Sequence, residues 1–414
     1  MTPRTRPTAR SLSIALVSEH ASPLAALGGV DAGGQNVHVA RLAGALADRG
    51  HRVTVYTRWD SKELPVTTLL RPGVLVHHVP AGPAEQLPKD ELLPHMLEFA
   101  RYLALEWQER GPDLVHSHFW MSGLASLQVA RELRLPLLHT YHALGTVKRR
   151  HQGRADTSPP ARIPCEVQVG LGCDRVVATC RDEVAELAGM GVPAEKVDVV
   201  PCGVDPQQFS PEGPVAERGP YRYRLLQLGR LVPRKGAAVA IAALAGLPDA
   251  ELVVAGGPPP ERVDADPEVR RLRDLARAAG VADRVRFTGG VPSSQVPALL
   301  RSADVVLCPA VYEPFGIVPL EAMACGRPVV ASDVGGQRDT VADRVTGRLV
   351  PAGDARALSA AVGELLADPA LREAYGAAGR RRVMSQYGWA SVAAATETAY
   401  RTVLGARMTV AGAL

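Results

Sequence analysis

Residues 305–334 read VVLCPAVYEPFGIVPLEAMACGRPVVASDV, and they decide the fold. Val305, Val306 and Leu307 form an apolar, β-branched run, the pattern of a buried strand. The loop after it holds Tyr312, Glu313, Pro314, Phe315 and Gly316. A short helix is expected over 319–325, with Pro319 in its first turn and Gly326 just past its end. Residues 327–331 return as a second apolar strand. The result is a β-loop-α-β unit. Ligands of open α/β sheets bind beyond the carboxyl ends of the strands. Glu313 in the loop and Glu321 in the first helical turn are both expected there.

Pro314 and Pro319 rule out one continuous helix through both acids. The loop is therefore expected to fold Glu313 back over the helix start. The backbone N–H groups of Phe315, Gly316, Ile317 and Val318 would then face a ligand. Such groups suit a phosphate, and carboxylates suit ribose or sugar hydroxyls. Together they describe a nucleotide-sugar. The residues alone fit equally well a solvated loop acid plus a glutamate that favours the helix dipole.

The longer stretch EPFGIVPLEAMACGRPVVASDVGG resembles the donor-site signature of the family-4 retaining glycosyltransferases. That family has the GT-B fold: two doubly wound, Rossmann-like α/β domains facing a central cleft. The resemblance runs through Gly316, Pro328 and the Gly335-Gly336 pair. It implies that Glu313 contacts the transferred sugar and that Glu321 contacts the nucleotide ribose.

A chain of 414 residues suggests two or three domains. At 46% hydrophobic it can bury sizeable cores. The net charge of +4 argues against a global polyanion partner such as nucleic acid. Cysteines 165, 173, 180, 202, 308 and 325 lack CxxC spacing. They read as reduced, buried thiols of a cytoplasmic protein, not as a metal site. The basic segment 1–11 reads as a disordered tail. The apolar run 12–17 is too short for a signal-peptide core, and no run reaches the ~18 apolar residues of a membrane span.

In the N-terminal half, residues 12–17 read as the first strand. A loop with Gly33-Gly34 leads into a helix whose apolar face is Val39, Leu42, Ala43 and Leu46. Glycines at a helix start let backbone approach a phosphate, or serve turn geometry alone. The spacing is not GxGxxG, which disfavours NAD. Residues 89–110 read as an amphipathic helix interrupted near Pro94. The strand 114–116 ends in HSHFWMSG, placing His118 at a strand mouth, as a core histidine or a ligand contact. Residues 136–140 form a strand leading into HTYHALGTVKRRHQGR. Its Lys148, Arg149, Arg150, His151 and Arg154 read as a solvated basic helix end or as a phosphate clamp. Arg58, after the second strand, is a further candidate. The stretch PCGVDPQQFSP, 201–211, reads as a linker.

These motifs resemble the same family, especially its sucrose-phosphate synthase-like and mycothiol-pathway members. The resemblance implies that the Gly33-Gly34 loop approaches donor and acceptor, and that His118 touches the transferred sugar. It also implies that HALGTVK is the acceptor loop, with Lys148 the best match and Arg149 and Arg150 softer ones. The linker resembles the family's NGVD hinge, with Cys202 where asparagine is usual.

In the C-terminal half, the strand 223–229 leads to GRLVPRKG, with a helix expected from about Lys235. Arg230 and Lys235 read as surface charges, or as cations for a diphosphate beside a helix start. The pattern resembles the family's pyrophosphate-binding turn, which implies the second. The DxD at Asp264 and Asp266 precedes Pro267, so it reads as a helix cap and not a metal site. By resemblance, backbone near Val291 contacts the base. The last helix, 389–414, is implied to return to the first domain, giving domains of 12–201 and 202–388.

The expected function is therefore retaining hexosyl transfer without a metal or other cofactor. UDP-glucose, UDP-N-acetylglucosamine and GDP-mannose all suit the donor framework. The acceptor loop points to a small phosphorylated polyol or sugar. A membrane-lipid glycosyltransferase and a nucleotide-sugar-binding protein or epimerase are the alternatives. Peripheral membrane contact and a homodimer stay open.

Overall fold

The computed structural model describes residues 10–25 and 34–411. Gly33 and the segment 1–9 of the basic tail lie outside them.

Short β-branched runs become buried strands, and their order creates the functional geometry. The first sheet contains β1 (Ser13–Val17), β2 (Arg52–Arg58), β3 (Thr67–Arg71), β4 (Val74–Val79), β5 (Leu114–His118), β6 (Leu137–Thr140), β7 (Arg175–Ala178) and β8 (Val197–Val199). The strand order is β3-β4-β2-β1-β5-β6-β7-β8. The β1, β2, β4, β5, β6 and β7 pairings are parallel, while β3 runs antiparallel to β4 at one edge. From β1 the sheet grows one way through β2 and the other way through β5. The switch point lies between β1 and β5, where Val17 is level with Ser117. The helices of this region are α1 (Gly34–Asp48), α2 (Met96–Glu109), α3 (Trp120–Glu132), α4 (Gly145–Gln152), α5 (Arg162–Gly172) and α6 (Arg181–Gly189).

The second sheet is parallel throughout. It contains β9 (Tyr223–Leu228), β10 (Ala250–Ala255), β11 (Val285–Gly289), β12 (Val305–Cys308), β13 (Val329–Ser332) and β14 (Gly347–Val350), in the order β11-β10-β9-β12-β13-β14. Its switch point lies between β9 and β12. Every residue of β12 and β13 is buried, which explains their continuous apolar runs. The remaining helices are α7 (Ala237–Leu244), α8 (Pro267–Ala278), α9 (Val296–Ser302), α10 (Ile317–Ala324), α11 (Gln337–Thr340), α12 (Ala355–Ala367), α13 (Pro369–Gln386) and α14 (Trp389–Ala411).

The chain divides into two compact units. One takes the chain up to Val177, with Leu187–Asp198 and the segment from Ala393; the other takes Ala178–Glu186 and Val199–Val392. Within the second unit, Arg181 gives both its backbone N–H (2.6 Å) and its Nε (2.8 Å) to Asp339. Residues 201–211 are packed and do not form an open linker. Val204 donates to Tyr387 O at 2.8 Å, and Cys202, Val204 and Phe209 are buried.

Three element boundaries differ from the sequence reading. Helix α2 starts at Met96, not residue 89. Pro94 disfavours α geometry just before it, and 89–95 form two separate 3-10 turns. Helix α10 starts at Ile317, because Gly316 (φ +73°) turns the chain into it. Pro319 fits its first turn, where no intrahelical N–H is needed, so Glu321 lies in the second turn. Helix α7 starts at Ala237; Pro233–Lys235 is a 3-10 turn closed by left-handed Gly236.

Candidate active site

In the second unit, the loops after β9 and β12 flank the switch point and are stitched together. Val311 N–H donates to Arg234 O at 2.8 Å, and buried Gln227 Nε2 donates to Lys235 O at 2.8 Å. The Lys235 ammonium forms an ion pair with Glu313 Oε2. Burial alone would raise the Glu313 carboxyl. The Lys235 charge and hydrogen bond, Arg234 and the Phe315 N–H outweigh it and hold the group below its usual range. Phe315 N–H is thus turned back to Glu313 and is not open to a ligand as expected. Gly316, Ile317 and Val318 supply the N–H groups of the α10 start, which no described side chain caps. Arg230 is exposed on the same loop as Lys235.

Glu321 keeps partial solvent contact but lies deep among protein atoms, and burial pushes its carboxyl up to about 8. The two glutamates therefore hold opposite charge states near neutral pH. Val291 follows β11 and packs against the core around β12. Asp266 caps α8, accepting from Glu268 N–H (2.9 Å) and Val269 N–H (3.0 Å), while Asp264 pairs with Arg273. The cap reading of the DxD holds.

Gly335 and Gly336 fix the Glu313 loop from beneath. Gly336 N–H donates to Glu313 O at 2.9 Å. A Cβ on Gly335 (φ +47°) would stand 2.3 Å from Glu313 O, and one on Gly336 would stand 2.6 Å from Pro314 O. Only glycine permits that approach.

In the first unit, His118 ends β5 with no exposed surface. Its Nδ1 lies 3.0 Å from His142 Nε2, and its Nε2 has no hydrogen-bond partner among the described residues. Rings of His38, His116 and His142 surround it at centroid distances of 5.8, 4.3 and 5.2 Å. Burial, then repulsion among the rings, drives His118 and His142 well below the usual histidine range, so both are neutral at pH 7. Gly34 opens α1, and Gln35 Nε2 donates to Ser18 Oγ at 3.1 Å.

Lys148, on α4, meets Asp156 Oδ1 at 3.0 Å and Ser158 Oγ at 2.8 Å. Burial opposes ionisation of Asp156, but Ser158 and Lys148 bring it down to about 2. Arg162 Nη1 shares the Ser158 hydroxyl at 3.1 Å, and its Nε pairs with buried Glu166 at 2.8 Å. Glu166 also accepts the Gly145 N–H, which anchors the start of α4. The Arg162 guanidinium and the Lys89 ammonium lie 5.2 and 5.8 Å from the Phe119 ring centroid. Three cations therefore gather near Phe119 and Ser158.

Arg149 and Arg150 are exposed on α4. Arg58 is buried, with its guanidinium on the carbonyls of Pro83 and Glu85, so it closes a local turn. Sequence reasoning did not single out Arg234, His142, Lys89, Phe119 or Arg162. Arg234 lay inside a motif already read, but Arg162 is separated from Lys89 by more than seventy residues and carries no local signal.

Strand-mouth sites on two largely parallel α/β sheets are the arrangement of the GT-B class of group-transfer enzymes. Residues 217–382 match the family model for glycosyl transferases group 1, and residues 32–208 match that for glycosyltransferase family 4. The chain is 39% identical over 407 residues to the D-inositol 3-phosphate glycosyltransferase of Kribbella flavida, covering 94% of this chain and 95% of that one. It resembles the solved sucrose-phosphate synthase of Thermosynechococcus elongatus with a TM-score of 0.85 and 34% identity, covering 95% and 99% of the two chains. Anabaena HepE in complex with UDP and glucose shares the fold at 20% identity and a TM-score of 0.73, covering 94% and 100%. The chain belongs to the family-4 GT-B glycosyltransferases and is a glycosyltransferase. No helix among the described residues is long and apolar enough to cross a membrane.

Proposed function

We propose that this enzyme moves a hexosyl group, with retention of anomeric configuration, from a nucleoside-diphosphate sugar to a hydroxyl of a phosphorylated polyol of the inositol 3-phosphate type. The observation that carries the reading is the Lys235–Glu313 pair, with Arg234 behind it, set before the uncapped start of α10 at a switch point. Cations and helix-start N–H groups suit a diphosphate. An ionised carboxylate beside them suits sugar hydroxyls.

In the mechanism, the bond from the anomeric carbon to the diphosphate breaks as negative charge grows on the leaving oxygen. Lys235, Arg230 and the N–H groups of 316–318 stabilise that charge, so no metal is required. Lys235 trades part of its contact with Glu313 for the diphosphate. The acceptor oxygen forms the new bond on the face that the leaving group vacates, and its proton passes to the departing phosphate oxygen. Glu313 orients the sugar and forms no covalent bond, unlike a retaining glycosidase carboxylate. Glu321 meets the ribose. His118 serves the transferred sugar by family resemblance, supported by its Nε2, which has no partner among the described residues.

The acceptor assignment rests on full-length relatives named D-inositol 3-phosphate glycosyltransferase and on the Lys89, Lys148 and Arg162 cluster, which suits a phosphate. The test is nucleotide release from UDP-glucose, UDP-N-acetylglucosamine and GDP-mannose with EDTA present. Each donor is run with and without D-inositol 3-phosphate, sugar phosphates and a phosphoinositide lipid. Release from one donor that depends on D-inositol 3-phosphate is the expected result. Release that needs the lipid, or needs a restored divalent ion, overturns the corresponding part.

A further inference from the structure

The Tyr400 hydroxyl, on α14, is buried against β5, and the mechanism above does not use it. From Ala393 onward α14 belongs to the first unit. The ion pairs Glu397–Arg49 (2.6 Å) and Arg407–Asp174 (2.7 Å) hold it there on either side of Tyr400. Tyr400 has no exposed surface, and a phenylalanine would fill the same space. A buried hydroxyl costs free energy unless it is bonded. This one lies 2.8 Å from His116 Nδ1, on β5.

The hydrogen positions follow from the far end of this relay. Thr140 Oγ1, on β6, donates to Val177 O at 3.0 Å. Its single hydrogen is used there, so it accepts from His116 Nε2 at 2.9 Å. Burial, then repulsion from His38 and His139, drives His116 well below the usual histidine range, so the ring is neutral at pH 7 and carries one hydrogen. With that hydrogen on Nε2, Nδ1 is a bare acceptor. Tyr400 therefore donates to it, and burial holds the phenol in its protonated form. Two bonds at opposite edges lock the plane of the His116 ring.

His116 and His118 are two residues apart on β5, so their side chains leave the same face of the sheet. Of the rings around His118, His116 lies at 4.3 Å between centroids, nearer than His142 at 5.2 Å or His38 at 5.8 Å. The His118 ring has its own bond at Nδ1, to His142. Its Nε2 is the nitrogen assigned above to the transferred sugar, and where that nitrogen points depends on the tilt of the ring. The locked His116 plane is the wall that sets this tilt. Without the Tyr400 bond, His116 keeps one bond and can turn about it.

We propose that Tyr400 is a positioning residue for His118, acting through a His116 ring that it locks together with Thr140. The proposal rests on the glycosyl-transfer reading above and on the sugar contact that it gives His118. No proton is transferred along the relay.

The test combines two readouts on the full chain. The first is steady-state kinetics with D-inositol 3-phosphate and the donor that supports release in the assay above. Tyr400→Phe should lower kcat about tenfold, the scale of one hydrogen bond, with acceptor KM and UDP affinity little changed. Thr140→Val cuts the other end of the relay and should do the same, and Thr140→Ser should recover the loss. In a His118→Ala background Tyr400→Phe should add little, because it acts through His118. The second readout is imidazole ¹⁵N NMR of histidine-labelled protein, assigned by removing one histidine at a time. His116 should show Nε2–H. Tyr400→Phe should move the His116 and His118 signals and leave that of His78, bonded to Pro65 O on β4, in place. Wild-type turnover in Tyr400→Phe, an undiminished loss in the His118→Ala background, or Nδ1–H on His116 overturns the proposal. Wild-type turnover in His118→Ala overturns the sugar contact given to His118 and takes the proposal with it. A wild type inert to D-inositol 3-phosphate overturns the acceptor assigned above instead. The NMR then decides: moved His118 signals in Tyr400→Phe uphold the positioning role, and unmoved ones overturn it.

Discussion

Glu313 and Glu321 show how surroundings divide the work of two identical side chains. Lys235 keeps Glu313 ionised, whereas burial without a cation lifts Glu321 to about 8. Between 4.5 and 8 the folded chain holds the Glu321 proton that the unfolded chain has lost. Stability must then fall as pH rises through that window and level off above it. Thermal unfolding from pH 5 to 9 should show this decline in the wild type and a flatter one in Glu321→Gln; parallel curves would mean that Glu321 is ionised throughout. Their functional effects should also separate. Glu313→Gln should lower turnover about a hundredfold or more, as loss of a group aimed at transition-state charge does. Glu321→Gln should mainly weaken donor binding, by about tenfold. Wild-type kinetics in both variants would remove the donor assignment. The sequence named both acids because they lie in one motif. It could not assign their charge states, since that of Glu313 depends on Lys235, 78 residues away in the chain, and that of Glu321 on burial by the folded core.

At the scale of elements, the Glu313 loop owes its shape to the glycine pair at the start of the α11 turn. Gly335→Ala would put a Cβ 2.3 Å from Glu313 O, so the loop must move and Glu313 with it. We expect a loss of about 1–3 kcal/mol in stability together with a drop in turnover. Gly353→Ala is the control: its φ is also positive, at +79°, but no atom lies within 4 Å of the added Cβ. It should cost stability and leave kinetics alone. Matching kinetic losses in the two variants would show that backbone strain, not the close approach, is what matters. Asp266 tests the second local device. Asp266→Ala should cost about 1 kcal/mol as a lost cap, Asp266→Asn much less, and neither should change transfer. Features such as this cap were legible because capping is written in adjacent residues. The buried strands β12 and β13 were legible for the same reason. Helix starts at Met96, Ile317 and Ala237 were misplaced by a few residues because a proline or left-handed glycine sets each one through backbone geometry. The His118–His142 contact and the Phe119 cation cluster were not legible, since each joins residues from separate elements.

For the whole molecule, two largely parallel sheets each have their own switch point, and each switch point carries a different chemistry. The second unit gathers cations, helix-start N–H groups and an ionised carboxylate on the loops after β9 and β12. The first places neutral His118 at the end of β5 and neutral His142 just after β6, with Lys89, Lys148 and Arg162 around the adjoining Phe119 and Ser158. That asymmetry was visible in the sequence only through family resemblance, because a lone histidine or lysine carries no spacing signal. It leads to a prediction about where ligands act. A ligand that binds only the folded form stabilises what it touches, by about 2.7 kcal/mol at a hundred times its Kd. Local opening is suppressed first at the contacted elements. In hydrogen exchange read by mass spectrometry, UDP should slow exchange in peptides covering 229–237 and 313–321. D-inositol 3-phosphate should slow exchange in peptides covering 144–162. Each ligand alone should protect chiefly its own set, because the donor and acceptor groups lie in different compact units. If UDP protected the 144–162 peptides and left 313–321 unchanged, the donor and acceptor roles would have to be exchanged between the units.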